Sequence, residues 1–289
     1  ILSGLVGSEM CIRDSADTET ILASGWCGVQ SMKERSPALL QTESLGIQFG
    51  GLRAVDNVGL RVGVGEVVGL IGPNGAGKTT CFNMITGVYK PTSGSISLSG
   101  ERIDGLHMID VNHRGVARTF QNIRLFRKMT VLDNVRVALH RQVDYGLMSS
   151  LLRLPSFRRA EAGLQRRALE LLSVFGLADR SQDLAGDLPY GDQRKLEIVR
   201  ALATSPKLLL LDEPAAGMNP QETENLTHLI SRLRQEFGVS ILLIEHDMSL
   251  VMKICEHIYV LDYGREIAQG EPTAIQNNQQ VIKAYLGEA

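Results

Sequence analysis

The segment Gly72–Thr79, which reads GPNGAGKT, restricts the possible folds of this chain more than any other feature. It matches the phosphate-binding pattern GxxxxGK[ST] and directly follows Val67–Ile71, a continuous apolar run typical of a strand buried in a parallel sheet. A helical pattern follows it as far as Ile85. Glycines let several backbone N–H groups point at one phosphate chain, and the helix directs its positive dipole end there too. The segment therefore predicts an α/β core with a phosphate-binding loop.

Two side chains at the end of this loop add chemistry of their own. Lys78 supplies a mobile positive charge for the β- and γ-phosphates, and the Thr79 hydroxyl can ligate Mg²⁺. The alternative is a plain glycine-rich turn, which the helix starting at Lys78 disfavours.

Polar side chains also follow three other predicted strands. Asp212 and Glu213 end the apolar run LLLL, whereas His246 closes ILLIEH and Gln121 follows RTF. Because α/β sheets bind ligands at the carboxyl ends of their strands, Asp212 is predicted to hold Mg²⁺ through water and Glu213 to polarise the attacking water. His246 is predicted to reach the γ-phosphate, and Gln121 to sense Mg²⁺ or that water. Taken singly, an acidic pair after a strand is as often a surface turn, a lone histidine is more often structural, and a glutamine is a very weak signal.

Composition excludes several other classes of protein. The 289 residues carry a formal net charge of -2 and are 44% apolar, which suits a globular protein and argues against nucleic-acid binding driven by net positive charge. No apolar run approaches the roughly 18 residues needed to cross a bilayer, so any membrane work is expected of a partner. The cysteines Cys11, Cys27, Cys81 and Cys255 show neither metal-site spacing nor a disulfide framework, which favours a reducing cytosol.

The first 31 residues are predicted to lie outside the working protein. Leu5–Asp14 reads as the translation of a common transposon sequencing adapter, so we expect a library artefact fused to the reading frame, with Met32 as the natural start. Cys11, Cys27 and Trp26 would then belong to this leader. The alternative is a native disordered arm.

Hydrophobic periodicity predicts one α/β domain with a helical segment in its middle third. Alternating residues from Leu45 predict antiparallel strands, GSISLSG (94–100) predicts an edge strand, and VARTFQ (116–121) predicts a strand that ends in a polar residue. Residues of about 129–175 have helical period, and their apolar stripe comprises Leu164, Ala168, Leu171, Leu172 and Phe175. Strand-like sequence then returns with KLLLLDEP, VSILLIEHD, HIYVLDYG and REIAQG, and a helix is predicted at 220–236.

These motifs, in this order and at this spacing, resemble the ATP-binding cassette (ABC) ATPases over about residues 42–289. The resemblance implies a P-loop NTPase core with a mixed parallel sheet, an N-terminal antiparallel β subdomain and an α-helical subdomain inserted at about 124–197, all within a single domain of residues 32–289. It implies ATP and Mg²⁺ as cofactors, Glu213, His246 and Gln121 as catalytic residues, and Thr79, Gln121 and Asp212 as metal ligands. The nucleotide-binding residues that it implies are Phe49 (stacked on adenine), Gly72, Pro73, Asn74, Gly75, Ala76, Gly77, Lys78, Thr79, Thr80, and the signature-motif residues Pro189, Tyr190, Gly191 and Asp192. For Phe49 the alternative is strand packing.

A closer resemblance concerns the segments RTFQNIRLF, YGDQRKLEI, DEPAAGMNP, IEHDM and AYLGEA. They are similar to the longer ATP-binding subunit of bacterial branched-chain amino-acid uptake transporters. This resemblance implies a second ATPase subunit, two membrane permeases, a periplasmic binding protein, no nucleic-acid partner, and a peripheral position on the cytoplasmic face of the inner membrane. The alternatives are a related transporter for urea, amides or lipid, a soluble non-transport ABC ATPase, and a nucleotide sensor without hydrolysis.

The signature motif departs from the family pattern at two positions. In the family, this motif of one cassette caps the ATP held by the partner cassette, and Pro189 stands where a serine would donate a hydroxyl. A hydrogen bond to a charged group contributes about 1.5–3 kcal/mol. Asp192 also brings a negative charge close to that phosphate. We therefore expect weakened capping and two ATP sites of unequal turnover.

Overall fold

The computed structural model describes residues 36–140 and 155–286. The predicted leader, residues 1–31, and part of the predicted helical insertion at 124–197 lie outside these residues. Within them the strands are β1 Ala38–Phe49, β2 Leu52–Val58, β3 Arg61–Gly63, β4 Val67–Ile71, β5 Ser93–Leu98, β6 Glu101–Arg102, β7 Val116–Arg118, β8 Leu208–Asp212, β9 Ser240–Ile244, β10 His257–Asp262 and β11 Arg265–Gly270. The helices are α1 Lys78–Ile85, α2 Met108–His113, α3 Val131–Leu139, α4 Pro155–Val174, α5 Tyr190–Ala203, α6 Pro220–Phe237, α7 Met248–Ile254, α8 Pro272–Gln276 and α9 Gln279–Leu286.

A six-stranded sheet carries the chemistry-bearing segments. Its order is β11-β10-β4-β9-β8-β7, and all neighbours are parallel except the hairpin pair β10 and β11. The central strands β4, β8 and β9 are buried along their whole length, as their continuous apolar runs predict. Because these strands are parallel, the segments that follow their carboxyl ends lie at one edge of the sheet.

Successive side chains of the central strands enter two different cores. Leu209 and Leu211 of β8 pack into a cluster with α3, α4, α5 and α6, whereas Leu208 and Leu210 pack into a cluster with α1 and the N-terminal strands. This alternation is the pleat of a strand that is covered on both faces.

The N-terminal strands form the predicted antiparallel subdomain. Their sheet has the order β2-β1-β5-β6, with β3 also paired to β1. The prediction that 94–100 forms an edge strand is wrong, because β5 pairs with β1 on one side and with the two-residue strand β6 on the other.

The predicted strand 116–121 is also shorter than expected. β7 ends at Arg118, and Gln121 lies three residues beyond it. The Phe120 N–H donates to the Glu197 carboxylate and the Gln121 carbonyl accepts from Arg194, so both groups bond to α5 rather than to a neighbouring strand.

Helix boundaries follow from local capping. The Asn219 side chain accepts the Glu222 N–H and the Glu222 carboxylate accepts the Asn219 N–H, which forms a capping box at the start of α6, and Gly238 ends the helix in a left-handed conformation. The predicted helix 220–236 is thereby confirmed to within one residue. None of the helices in residues 36–140 and 155–286 combines the length and apolar character needed to cross a membrane.

Candidate functional site

The phosphate-binding loop joins the end of β4 to the start of α1. Gly77 immediately precedes α1 with a φ of 96°, and a Cβ there would lie 2.8 Å from the Ala54 carbonyl oxygen. Gly72 has a φ of 147°, and its Cβ would lie 2.0 Å from the Leu261 carbonyl oxygen. The glycines at both ends of the loop are therefore required by backbone conformation and by close approach.

Lys78 lies at the first position of α1, with its ammonium group folded over the loop. Its Nζ donates to the carbonyl oxygens of Gly72 and Pro73 at 2.7 and 2.9 Å. Burial lowers the pKa of Lys78, and the nearby carboxylates of Glu213 and Asp212 oppose that shift without cancelling it. The lysine is thus held close to the N–H groups at the start of α1, where an anion is favoured.

A cavity of about 300 Å³ opens over this loop. Glu213 faces it from the end of β8, so the loop and a carboxylate share one space. The residues that line it are Leu52, Arg53, Ala54, Asn74, Gly75, Ala76, Gly77, Lys78, Thr79, Thr80, Glu213 and Tyr263. Arg53 and Tyr263 were not predicted from the sequence; Tyr263 lies at the turn between β10 and β11 and is 88% exposed.

The two acidic residues at the end of β8 have different surroundings. Asp212 is buried and its Oδ2 forms an ion pair with Arg118 Nη2 at 2.6 Å. Glu213 lies just past the strand with a positive φ of 46°, and its Oε2 accepts a 2.7 Å hydrogen bond from Gln121 Nε2. The structure therefore brings Gln121 to Glu213 although Gln121 does not end a strand.

Arg194, in α5, ties the Gln121 segment to the strand-end acids. Its side chain is fully buried and donates to the carbonyl oxygens of Phe120, Gln121 and Glu213 at 2.6, 3.0 and 2.9 Å. It also forms an ion pair with Glu197 at 2.8 Å. Sequence reasoning missed this residue because no local pattern reveals contacts across more than seventy positions.

His246 lies beside the same acid. Its Nδ1 is 4.0 Å from Glu213 Oε2, and the side chain is 62% exposed at the site rim. The neighbouring Glu245 is buried, and burial raises its pKa although the backbone N–H groups of Ala215, His246 and Asp247 donate to its carboxylate. These bonds fix the chain direction at His246.

The predicted signature motif stands apart from this cavity. Pro189 is the N-cap of α5, and the Tyr190 hydroxyl donates to the Ala216 carbonyl at 3.0 Å. A Cβ at Gly191 would lie 2.9 Å from the Glu222 carboxylate. The Asp192 carboxylate is paired with Lys195 at 2.9 Å and with Arg180 at 3.3 Å.

Phe49 is also away from the cavity lining. It is 45% exposed at the end of β1 and makes an edge-to-face contact with Tyr89, with ring centroids 5.2 Å apart. Both the adenine-stacking role and the strand-packing alternative stay predictions.

The fold and the loop define a class of protein. A family model described as "ABC transporter" matches residues 55–216, and a second, described as "Branched-chain amino acid ATP-binding cassette transporter", matches residues 265–289. The chain belongs to the ABC transporter family, and it is an ATP-binding cassette that hydrolyses ATP. The predicted family and fold class are confirmed.

Individual members of this family match the chain over most of its length. The high-affinity branched-chain amino acid transport ATP-binding protein LivG of Escherichia coli (strain K12) is 52% identical over 254 residues, which are 88% of this chain and all of LivG. The high-affinity branched-chain amino acid transport ATP-binding protein BraF of Pseudomonas aeruginosa is 50% identical, and the match again covers 88% of this chain and all of BraF. The crystal structure of the ADP conformation of MJ1267, an ATP-binding cassette of an ABC transporter, has a TM-score of 0.76 and 31% identity, and the match covers 88% of this chain and all of that one.

Proposed function

We propose that this chain is the ATP-hydrolysing subunit that powers import of branched-chain amino acids through partner permeases at the cytoplasmic face of a bacterial inner membrane. The cargo assignment is supported by the identity with LivG and BraF and by the match of residues 265–289. The mechanism rests on one observation, the shared cavity of the phosphate-binding loop and Glu213, with Gln121 and His246 beside that acid.

ATP binding begins with the loop. The N–H groups at the start of α1 have no side-chain cap among the described residues, so phosphate oxygens can accept from them. Lys78 then exchanges its bonds to Gly72 and Pro73 for bonds to the β- and γ-phosphates, whose negative charge favours the charged ammonium group. The residues Asn74 to Thr80 then surround the triphosphate.

Hydrolysis is assigned to Glu213. Its carboxylate accepts a proton from water while the water oxygen attacks the γ-phosphorus, and the bond to the departing ADP oxygen breaks to give ADP and phosphate. The 2.7 Å hydrogen bond from Gln121 orients the carboxylate. His246, whose Nδ1 lies 4.0 Å from the same oxygen, would donate to the γ-phosphate.

The residues present also fit Mg²⁺. The site offers hydroxyl, carboxylate and amide oxygens, which are the kinds of ligand that Mg²⁺ takes beside water and substrate phosphates. The Thr79 hydroxyl, the Asp212 carboxylate and the Gln121 amide oxygen are the proposed ligands. When bound, Mg²⁺ neutralises charge on the phosphates.

The proposed assembly contains a second ATPase subunit, two permeases and, indirectly, a periplasmic binding protein. Pro189, Tyr190, Gly191 and Asp192 would cap the ATP of the second subunit, because a helix N-terminus favours an anion. The ion pairs of Asp192 with Lys195 and Arg180 offset the negative charge that this residue brings to the motif.

A largely apolar groove is the proposed contact surface for a permease. It has a volume of about 400 Å³, and its lining includes Met108, Ile109 and Phe120. Arg118 lines it too and pairs with Asp212, so the groove is connected to the site by one side chain.

Glu213→Gln tests the hydrolytic assignment. General bases contribute about 10²–10⁴-fold, so we expect turnover to fall at least about a hundredfold while ATP binding by the full chain persists. Glu224→Gln, which removes the same charge from an exposed ion pair with Lys253, is the matched control and should hold turnover within about twofold. Unchanged turnover in Glu213→Gln contradicts the assignment, and a parent chain that binds no ATP contradicts the site.

The cargo needs a separate test. Uptake of labelled leucine should be lost in cells that lack the gene and restored by the parent chain, but not by Glu213→Gln. Intact leucine uptake with loss of urea, amide or lipid transport would instead favour one of the alternative transporters.

A further inference from the structure

The C-terminal helix α9 contacts the phosphate-binding loop through a tyrosine hydroxyl. The Gly72 N–H donates a 2.8 Å hydrogen bond to the Tyr285 hydroxyl oxygen, although the two residues are 213 positions apart. The Gly72 carbonyl oxygen accepts from Lys78 Nζ at 2.7 Å. Both backbone polar groups of Gly72 are therefore engaged, one by α9 and the other by the phosphate-binding lysine.

Gly72 is the residue at which the loop leaves β4. It has a φ of 147°, and a Cβ here would lie 2.0 Å from the Leu261 carbonyl oxygen, so no side chain fits where the loop turns away from the strand. A hydrogen bond on its N–H fixes the peptide plane between Ile71 and Gly72. The direction in which the loop departs thus depends on this bond.

Apolar packing holds α9 against the core. Val281 is buried in the main core, and an apolar recess of about 470 Å³ is lined by Met248, Met252, Ile275 and Tyr285 among others. Tyr285 is only partly buried, with 39% of the residue exposed; this burial raises its pKa, and the hydrogen bond from the Gly72 N–H opposes that shift in part.

The remainder of the loop stays clear of this helix. An open cleft of about 890 Å³ lies between them, lined by Pro73 to Ala76 on one side and by Gln280, Lys283 and Ala284 on the other. Tyr285 consequently contacts the base of the loop at Gly72 and is not among the residues that line the phosphate-binding cavity.

We infer that Tyr285 is a positioning residue for ATP binding: its hydroxyl fixes Gly72, and through Gly72 the start of the loop whose N–H groups bind the phosphates. Tyr285 does not touch the nucleotide. The inference rests on the ATP site proposed above, and it makes the affinity for ATP depend on the docking of α9.

Tyr285→Phe tests this inference in the full chain because it keeps the ring and removes only the hydroxyl. The matched control is Tyr259→Phe, since the Tyr259 hydroxyl also accepts a backbone N–H at 3.1 Å, but from Arg61 at the start of β3 and not from the loop. The measurements are the dissociation constant for ATP, by displacement of a fluorescent ATP analogue, and KM and kcat for ATP hydrolysis.

We expect Tyr285→Phe to raise the dissociation constant and KM about three- to tenfold, the range of one neutral hydrogen bond, with kcat within twofold of the parent. Tyr259→Phe should bind ATP within twofold of the parent. The inference is overturned if Tyr285→Phe binds ATP as the parent does, or if both variants weaken binding equally. A parent that fails to bind ATP overturns the proposed site itself, and the inference with it.

Discussion

Arg194 provides the sharpest test of how the site is held together. Its fully buried guanidinium donates to the carbonyl oxygens of Phe120, Gln121 and Glu213 and is paired with the buried carboxylate of Glu197. A single side chain thus connects α5, the Gln121 segment and the proposed catalytic acid. Replacing it with methionine keeps much of the aliphatic volume and removes the charge and all the donors.

The expected loss of stability in Arg194→Met follows from the Glu197 carboxylate, which stays buried without its partner. Removing one partner of a buried ion pair leaves an uncompensated charge and costs about 3–5 kcal/mol. The free energy of unfolding of a domain of this kind is about 5–15 kcal/mol. For most parent stabilities in that range Arg194→Met should therefore still fold, but with much reduced stability. In the double variant Arg194→Met/Glu197→Gln the buried charge is gone, so part of the loss should be recovered.

The assay is unfolding of the full chain in guanidinium chloride, monitored by circular dichroism. It compares the parent, both Arg194 variants and Lys253→Met. Lys253 is 55% exposed and its ion pair with Glu224 lies at the surface, so that variant should lose no more than about 1 kcal/mol. A loss in Arg194→Met no larger than in Lys253→Met would refute the reasoning. A double variant no more stable than Arg194→Met would refute the uncompensated carboxylate as the cause.

Three further predictions concern the loop, the signature motif and a helix cap. Gly72→Ala should destabilise the chain by about 2–3 kcal/mol in the same unfolding assay, because the new Cβ meets a backbone carbonyl. Gly75→Ala should cost only about 1–2 kcal/mol, because its Cβ meets nothing within 4 Å and only the positive φ is unfavourable. Equal losses of stability would contradict this explanation. Pro189→Ser should raise turnover at the ATP site that this motif caps about ten- to hundredfold by restoring a hydroxyl donor, and unchanged steady-state ATPase activity of the assembled complex would refute the weakened cap. Asp247→Ala removes the side chain that caps α7 and should cost about 1 kcal/mol. The hydrogen bond from the Ser249 hydroxyl lowers the pKa of Asp247. The extra stability of the parent over Asp247→Ala should therefore be complete above the ordinary pKa of 3.8 and shrink as the pH falls through the lowered pKa. Unfolding at several pH values measures this, and a pH-independent difference in stability would contradict it.

Sequence patterns predicted the parts of the fold that depend on neighbouring residues. Val67–Ile71 and Leu208–Leu211 are apolar runs of strand length that suit burial on both faces of a parallel sheet, and the glycine pattern at 72–77 indicated a loop that turns into a helix. The strand topology then brought Glu213 to the phosphate-binding loop. Periodicity was less informative at 94–100, because an edge strand and a strand with a two-residue neighbour have the same alternation.

The parts that were missed depend on contacts between distant residues. In the sequence Arg194 has the position of an ordinary polar residue on an amphipathic helix. In the structure it is fully buried, and it donates to backbone carbonyl groups of two loops. Arg118 pairs with Asp212 across 94 positions, and Tyr285 bonds to Gly72 across 213. Gln121 was placed at a strand end, although its position is fixed by α5 and not by the sheet.

The alternation of the four leucines 208–211 has a consequence for how this gene can vary. Any one of them could be exchanged for another aliphatic residue with modest repacking, but their number is fixed. Deleting one would shift the register of the strand end by one residue. Asp212 would then lose its ion pair with Arg118, and Glu213 would turn into the protein interior. Insertions and deletions in this stretch should therefore be far rarer than substitutions, because each would exchange the surroundings of the two carboxylates.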